Sequence, residues 1–265
     1  MNMTAILIAA AVIAVAGLIV GIGLGLFGEK FKVEVDEKEV AIREELPGNN
    51  CGGCGFAGCD ACAGAIASGE APVNACPVGG DAAAAKIAEI LGKEVEKTKR
   101  MTAFVRCAGT CGKSKQNYDY CGVKDCEMLA FVPSGGPKAC HGGCLGFGNC
   151  MKACAFGAIQ VIDGVAVVDR EKCRGCGQCA LHCPKHLIEM LPYEQETAVV
   201  CSSREKGKAV MAACEAGCIG CKKCERTCPQ SAIRVEESLA HIDPEKCTGC
   251  GACIEACPRN IIHRI

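Results

Sequence analysis

Of the 265 residues, 27 are Cys, and their spacing decides what chemistry the chain can do. Cys173, Cys176, Cys179 and Cys183 place a thiol at nearly every third residue, and similar runs recur further along. Thiols this close face one small object more readily than they reach out to distant partners. The count is also odd. Both features argue against a disulfide framework and for bound metal, which requires a compartment that keeps thiols reduced, such as the cytoplasm. Aromatic residues make up 4 % of the chain and there is no Trp, so side-chain packing alone does not hold much of the fold. Metal ligation is then part of the folding energy. Sets of four thiolates suit zinc or a cubane iron–sulfur cluster.

The first set is Cys51, Cys54, Cys59 and Cys76, with Pro77 following and glycines that let backbone N–H groups approach the sulfurs. Cys62 falls outside that spacing and reads as a small buried thiol. Further along lies a duplication. Cys144, Cys150, Cys154, Cys173, Cys176, Cys179 and Cys183 reappear 74 residues later as Cys218, Cys224, Cys228, Cys247, Cys250, Cys253 and Cys257. Each repeat brackets a hairpin, 158–162 with 165–168 and 232–236 with 239–242. This is the arrangement of bacterial two-cluster ferredoxins, whose half-motif is C-x2-C-x2-C-x3-C-P. Cys173 to Pro184, Cys218 to Pro229 and Cys247 to Pro258 match it in full. The fourth half-motif departs from it, with Phe147 where Cys221 stands and Ala155 in place of the proline. Cys140 is expected to supply the missing thiol. In such ferredoxins the fourth Cys of each run ligates the other cluster. The expected sets are therefore Cys140, Cys144 and Cys150 with Cys183, and Cys173, Cys176 and Cys179 with Cys154. The second unit would use Cys218, Cys221 and Cys224 with Cys257, and Cys247, Cys250 and Cys253 with Cys228.

Cys107, Cys111, Cys121, Cys126, Cys201 and Cys214 remain. One further cluster is expected on Cys107, Cys111 and Cys126. Its fourth ligand is either the nearby Cys121 or a long-range clamp from Cys201 or Cys214, and the clamp is preferred. Six clusters would use four thiols each and leave three free.

The elements that position these thiols follow from pattern. Thr4 to Phe27 is uncharged and apolar or small, long enough for a retained transmembrane anchor. Lys30 and Lys32 just after it favour a cytoplasmic Cys-rich body. Gly17, Gly21 and Gly25 form a small-residue stripe that fits either a helix partner or ordinary membrane composition. Gly23, Gly25 and Gly28 match the G-x-G-x-x-G spacing, but no strand precedes them and they fall inside the apolar run, so no dinucleotide site is read there. A strand is expected at 31–35, then a polar helix. Further helices are expected at 61–67 and at 82–91, the latter capped by Asp81 and ended by Gly92. A strand at 103–106 and a helix opening at Cys126 complete the reading. The fold class is α+β: an N-terminal transmembrane helix, a small helical four-Cys Fe–S domain, then two bacterial-type two-cluster ferredoxin units. Expected borders are 1–28 for the anchor, 29–100 for the four-Cys domain and 101–137 for a Cys-containing connector. The first ferredoxin unit follows at 138–193, a linker at 194–217 and the second unit at 218–265. The formal charge of −1 counts thiols as neutral, so the loaded protein would be more acidic. Lys172, Arg174, Lys222, Lys223 and Lys246 beside the motifs read as solvated surface. His141, His182, His186, His241 and His263 show no ligand rhythm, and no nucleophile, flavin site or nucleic-acid surface is legible.

Taken in order, several features resemble the B subunit of Rnf complexes across essentially the whole chain. They are the anchor, Pro47 to Cys59 with Cys76-Pro77-Val78-Gly79-Gly80, the Cys107 to Cys126 segment, Pro137-Lys138-Ala139-Cys140, Cys201-Ser202-Ser203 and the two ferredoxin units. That resemblance implies a membrane assembly coupling electron transfer between reduced ferredoxin and NAD to Na⁺ or H⁺ movement. Within it this chain would accept electrons from soluble ferredoxin through [4Fe–4S] clusters and pass them to other membrane and peripheral subunits. It implies no substrate-converting site on this chain. Two other readings remain: a ferredoxin module of a membrane hydrogenase or formate-oxidising complex, and a colourless zinc-scaffolded adaptor.

Overall fold

The computed structural model describes residues 3–30, 36–95 and 98–265. The expected strand at 31–35 lies outside them. An uncharged run of good helix formers without Pro becomes α1, Met3–Lys30, 28 residues long. Its described apolar side chains, Leu7 to Phe27, are exposed. Gly17, Gly21 and Gly25 face open space. Counted over fully described residues, no helix is long and apolar enough to cross a membrane.

Three helices build the first Cys-bearing unit. α2, Glu37–Glu45, starts where the Asp36 carboxylate accepts the Lys38 amide at 2.9 Å. α3, Cys59–Ser68, and α4, Gly80–Leu91, both end on left-handed glycines, Gly69 and Gly92. Asp81 is not the cap expected of it. It sits inside the first turn of α4, and its carboxylate accepts the Thr98 amide at 3.3 Å. α2 lies across α3 and α4, and the shared core centres on Ile42, Ile66 and Ile87, each 0 % exposed. Burying each contributes about 1.5–3 kcal/mol, a small sum for a unit this size.

The remainder is two copies of one design. In the first, β1 (Met101–Val105) pairs antiparallel with β4 (Ile188–Pro192), and β2 (Ile159–Ile162) with β3 (Val165–Val168). In the second, β5 (Thr197–Val199) pairs with β8 (Ile262–Arg264), and β6 (Ile233–Glu236) with β7 (Leu239–Ile242). Asp163 and Gly164 turn the first hairpin with φ of 47° and 73°. Two left-handed residues match the twist of the strands they join. These pairings cross the borders expected from sequence: β1 belongs with the first ferredoxin unit and β5 with the second.

Single helical turns carry the Cys runs: α5 (Asn149–Lys152) and α6 (Gln178–Leu181) in the first unit, α8 (Lys223–Thr227) and α9 (Ala252–Ala256) in the second. α7, Gly207–Ala213, precedes Cys214. The helix expected to open at Cys126 is instead a 3₁₀ turn, Met128–Phe131, two residues further on. The segment after Cys107 is stitched to the second unit, because the Lys115 amide bonds the Ala213 carbonyl at 2.9 Å and the Glu215 amide bonds that of Lys113 at 2.8 Å.

The three-helix unit presses on the first ferredoxin unit at one point. A Cβ added at Gly53 would stand 2.8 Å from the Cys176 carbonyl oxygen and 2.9 Å from its Cα. Gly53→Ala should therefore separate the two units, at about 1–3 kcal/mol for the overpacked contact. Faster limited proteolysis between residues 92 and 100, with unchanged far-UV circular dichroism, is the expected result. Cleavage at the wild-type rate would show that the contact yields without cost.

Candidate metal centres

In the second ferredoxin unit, Cys218, Cys221, Cys224 and Cys257 line one cavity, and Cys228, Cys247, Cys250 and Cys253 line another. In the first unit Cys154, Cys173, Cys176 and Cys179 line a third. These are the groupings expected from the ferredoxin rule. Backbone donors point at the sulfurs: the Ala158 amide bonds Cys154 Sγ at 3.4 Å and its repeat mate, the Ala232 amide, bonds Cys228 Sγ at 3.3 Å. The Ala103 amide on β1 reaches Cys173 Sγ at 3.4 Å, so a strand outside the Cys motif also serves the site.

Each thiol also feels its neighbours. Burial pushes Cys179 up to about 12, and the charges of Cys173, Cys176, Cys150 and Cys154 add to it. Cys224 is raised to about 11, by burial and then by Cys218, Cys257 and Cys221. Without an occupant these thiols stay protonated at neutral pH. Ligation replaces each Sγ–H by a bond to metal and releases the proton.

At the altered half-motif, burial and the charges of Cys144, Cys183 and Cys126 raise Cys150 to about 12. Cys126 therefore lies within electrostatic reach of Cys150. Asn149 holds it there: its Oδ1 accepts the Cys126 amide at 2.9 Å while its Nδ2 donates to Asp125 at 3.1 Å. Phe147, standing at the position of Cys221, packs its ring 5.7 Å from that of Tyr120.

Cys140 instead joins Cys107, Cys201 and Cys214 around a separate cavity. The expected set of Cys107, Cys111 and Cys126 is thus not brought together. Cys111 is exposed beside the β2–β3 turn, where a Cβ on Gly164 would meet its Sγ at 2.5 Å, and Cys121 is exposed as well.

In the three-helix unit, Cys54, Cys59 and Cys76 surround Cys62. Cys62, 1 % exposed, is raised to about 12, first by burial and then by a hydrogen bond with Cys54. The Gly79 amide bonds Cys76 Sγ at 3.4 Å. Cys51 lies close enough to Cys176 of the first ferredoxin unit to raise its pKa, after burial.

Among the described residues no three Cys, His, Asp or Glu converge on the position of a single metal ion. The thiols instead stand around voids. Four sulfur donors on the walls of a void, with N–H groups aimed at them, fit a [4Fe–4S] cluster. The His residues make other contacts: His141 pairs with Glu205 at 2.8 Å, and the His263 ring lies 2.9 Å from the Asn260 carbonyl oxygen. Sequence reasoning missed Asn149, which no motif marks. It also missed that Cys140 and Cys214 are themselves 74 residues apart, the signal that separates Cys140 from the half-motif.

Fold and thiol geometry define a ferredoxin-type iron–sulfur protein. Family profiles agree: a 4Fe-4S dicluster domain matches residues 217–261, a 4Fe-4S binding domain 166–189, and a putative Fe-S cluster family 46–78. Over 89 % of its length the chain is 46 % identical to the B subunit of the ion-translocating oxidoreductase complex of Methanosarcina acetivorans, covering 89 % of that protein. Over 92 % of its length it is 43 % identical to the B subunit of the Na(+)-translocating ferredoxin:NAD(+) oxidoreductase complex of Acetobacterium woodii, covering 73 % of it. The proton-translocating counterpart of Clostridium ljungdahlii is 40 % identical over 91 % of this chain and 85 % of its own. The chain belongs to this B-subunit family of the Rnf-type ion-translocating oxidoreductases.

Asn149→Ala should cost about 1–3 kcal/mol by leaving the part-buried Cys126 amide without its acceptor. Anaerobic thermal denaturation checks it. A midpoint unchanged from wild type would show that Asn149 does not hold Cys126.

Proposed function

We propose that this chain is the electron-entry subunit of a membrane-bound, Rnf-type ion-translocating complex. It takes electrons from reduced soluble ferredoxin and hands them to other subunits of the complex, which couple the flow to Na⁺ or H⁺ movement. The observation that carries the reading is a series of thiol-lined cavities in a chain that matches its B-type relatives over about nine-tenths of its length. The names of two of those relatives specify ferredoxin and NAD⁺ as reactants.

The reading takes five ligand sets, three of which each line one cavity. They are Cys51, Cys54, Cys59 and Cys76; Cys154, Cys173, Cys176 and Cys179; Cys126, Cys144, Cys150 and Cys183; Cys218, Cys221, Cys224 and Cys257; and Cys228, Cys247, Cys250 and Cys253. Bound there, a [4Fe–4S] cluster supplies one-electron chemistry. The protein's part is to hold the sulfurs, exclude water from them and aim amide N–H dipoles at their negative charge. Those N–H bonds and the degree of burial tune each potential. A total of six clusters would use 24 of the 27 thiols.

α1 anchors the chain in this reading. What supports it is that the described apolar side chains of this helix have no protein cover. The Cys-rich body lies on the cytoplasmic side, where thiols stay reduced. No ionisable residue falls between Thr4 and Phe27, so the ion path is assigned to other subunits.

The anaerobically purified chain should be brown and contain about 24 iron atoms, four for each of six clusters, with a paramagnetic signal on dithionite reduction. Fewer than about 16 iron atoms, or no such signal, would sink the reading. Deleting residues 3–30 should move the chain from the membrane to the soluble fraction without iron loss. Retention in the membrane would refute the anchor.

A further inference from the structure

The cavity around Cys107, Cys140, Cys201 and Cys214 lies outside every matched family profile, and the internal repeat explains how it is made. Cys140 and Cys214 are 74 residues apart, the period of the duplication. Cys107 and Cys201 are structural mates as well, although the segment after Cys107 is longer than that after Cys201. Each follows the first strand of its unit. The residue before each makes the same bond, Arg106 amide to Leu187 carbonyl at 2.8 Å and Val200 amide to Ile261 carbonyl at 2.9 Å. Each then accepts the amide of the first Cys in its own unit's run. The Cys144 amide reaches Cys107 Sγ, and the Cys218 amide reaches Cys201 Sγ, both at 3.3 Å. One pair of thiols per repeat therefore meets its counterpart in a single cavity.

We infer that Cys107, Cys140, Cys201 and Cys214 hold one further [4Fe–4S] cluster, shared by the two repeats and seated between the ferredoxin units. The inference rests on the iron–sulfur reading above and names the sixth ligand set within it.

Two features beyond the thiols ask for an anionic occupant with acceptor atoms. Lys138 is 5 % exposed, and its ammonium donates to the carbonyls of Gly109 at 2.8 Å and Gly164 at 2.9 Å. Among the described residues no carboxylate pairs with it. A buried cation without a counter-charge is strongly unfavourable, and a cluster held by four thiolates supplies negative charge. Ser114, 4 % exposed, lines the same cavity with a hydroxyl that has no hydrogen-bond partner. Cluster sulfur gives that hydroxyl an acceptor.

The close approach of backbone leaves little alternative use for the space. A Cβ on Gly109 would stand 3.2 Å from Cys214 Sγ, and one on Gly142 would stand 3.1 Å from the Ser203 Cα. Cys140 is pushed up to about 12, by burial first and then by Cys214, Cys107 and Cys201. On loading, each Cys sulfur would displace a carrier thiolate from one iron of a preassembled cluster, and the Sγ–H proton would pass to that thiolate, which leaves as a thiol. The four thiolates that result are the ligands. No electron is exchanged in that step.

The test uses the full-length chain, purified without oxygen. Cys214→Ser should lose about four of 24 iron atoms per chain, or show the oxidised-state paramagnetic signal of a three-iron cluster that wild type lacks. Cys111→Ser combined with Cys121→Ser should keep full iron and sulfide. Loss of about four iron atoms from that double variant, with none from Cys214→Ser, would overturn the assignment in favour of the local set. A second measurement needs no variant. Iodoacetamide applied to iron-replete wild type should label Cys111 and Cys121 without iron loss, and label the half-buried Cys107 and Cys140 only after chelation. Labelling of Cys107 and Cys140 while the chain still holds about 20 iron atoms, five clusters of four, would sink this inference alone. A wild-type chain without iron would sink the functional reading as well.

Discussion

Thiols held face to face around an enclosed void are the constraint on which this structure depends. A bare chain pays heavily for that arrangement, because each sulfur must be desolvated and cannot ionise beside its neighbours. The raised pKa values of Cys140, Cys150 and Cys179 express that cost. Iron removes it by replacing four protons with a shared cationic core. The two ferredoxin units are correspondingly slight: two-stranded sheets, short helices, and few large buried side chains. Small domains that cannot bury enough apolar surface fold around metal instead.

Duplication explains both the regularity of the body and its one irregular site. The second unit keeps the full set of ferredoxin cysteines. The first has a longer segment after Cys107 and Phe147 where the second has Cys221. That longer segment brings Cys126 within electrostatic reach of Cys150, and Asn149, the residue preceding Cys150, accepts its amide. Cys140 remains equivalent to Cys214. Through Lys113 and Lys115 the same segment ties its unit to the other.

What could be read from sequence divides along the same line. Local spacing is short-range information, so the three intact half-motifs and both hairpins were legible. The helix end marked by Gly92 depends only on backbone geometry. Sequence proximity favours Cys140 for the run beginning at Cys144, whereas the fold puts Cys126 within electrostatic reach of Cys150 and Cys140 on the cavity of Cys107, Cys201 and Cys214. Only the fold shows that a 3₁₀ turn and an Asn side chain bring Cys126 from further away. The pairing of β1 with β4 and of β5 with β8 was equally hidden, since each joins segments more than 60 residues apart. The side chain of Asp81 lies in a helical first turn, where pattern could not separate an N-cap from a neighbouring acceptor.

Charge completes the argument. Lys172 and Lys246, which stand just before a Cys in each repeat, are tied to Asp169 and Asp243 at 3.1 and 3.2 Å. Those carboxylates also accept backbone amides of their own turns. The lysines are exposed, and such pairs change stability little. They shape the entry to each Cys run rather than the field at its sulfurs. Lys138 differs. Among the described residues it is the one charged side chain in the interior, and it lies where its charge reaches Cys144 of the first unit and Cys214 of the second. Electrostatic interactions strengthen as water is excluded, so one buried ammonium outweighs several solvated ones in setting how readily nearby sulfur accepts negative charge. Its position between the two units makes that junction the place where a side-chain charge acts most directly on buried sulfur.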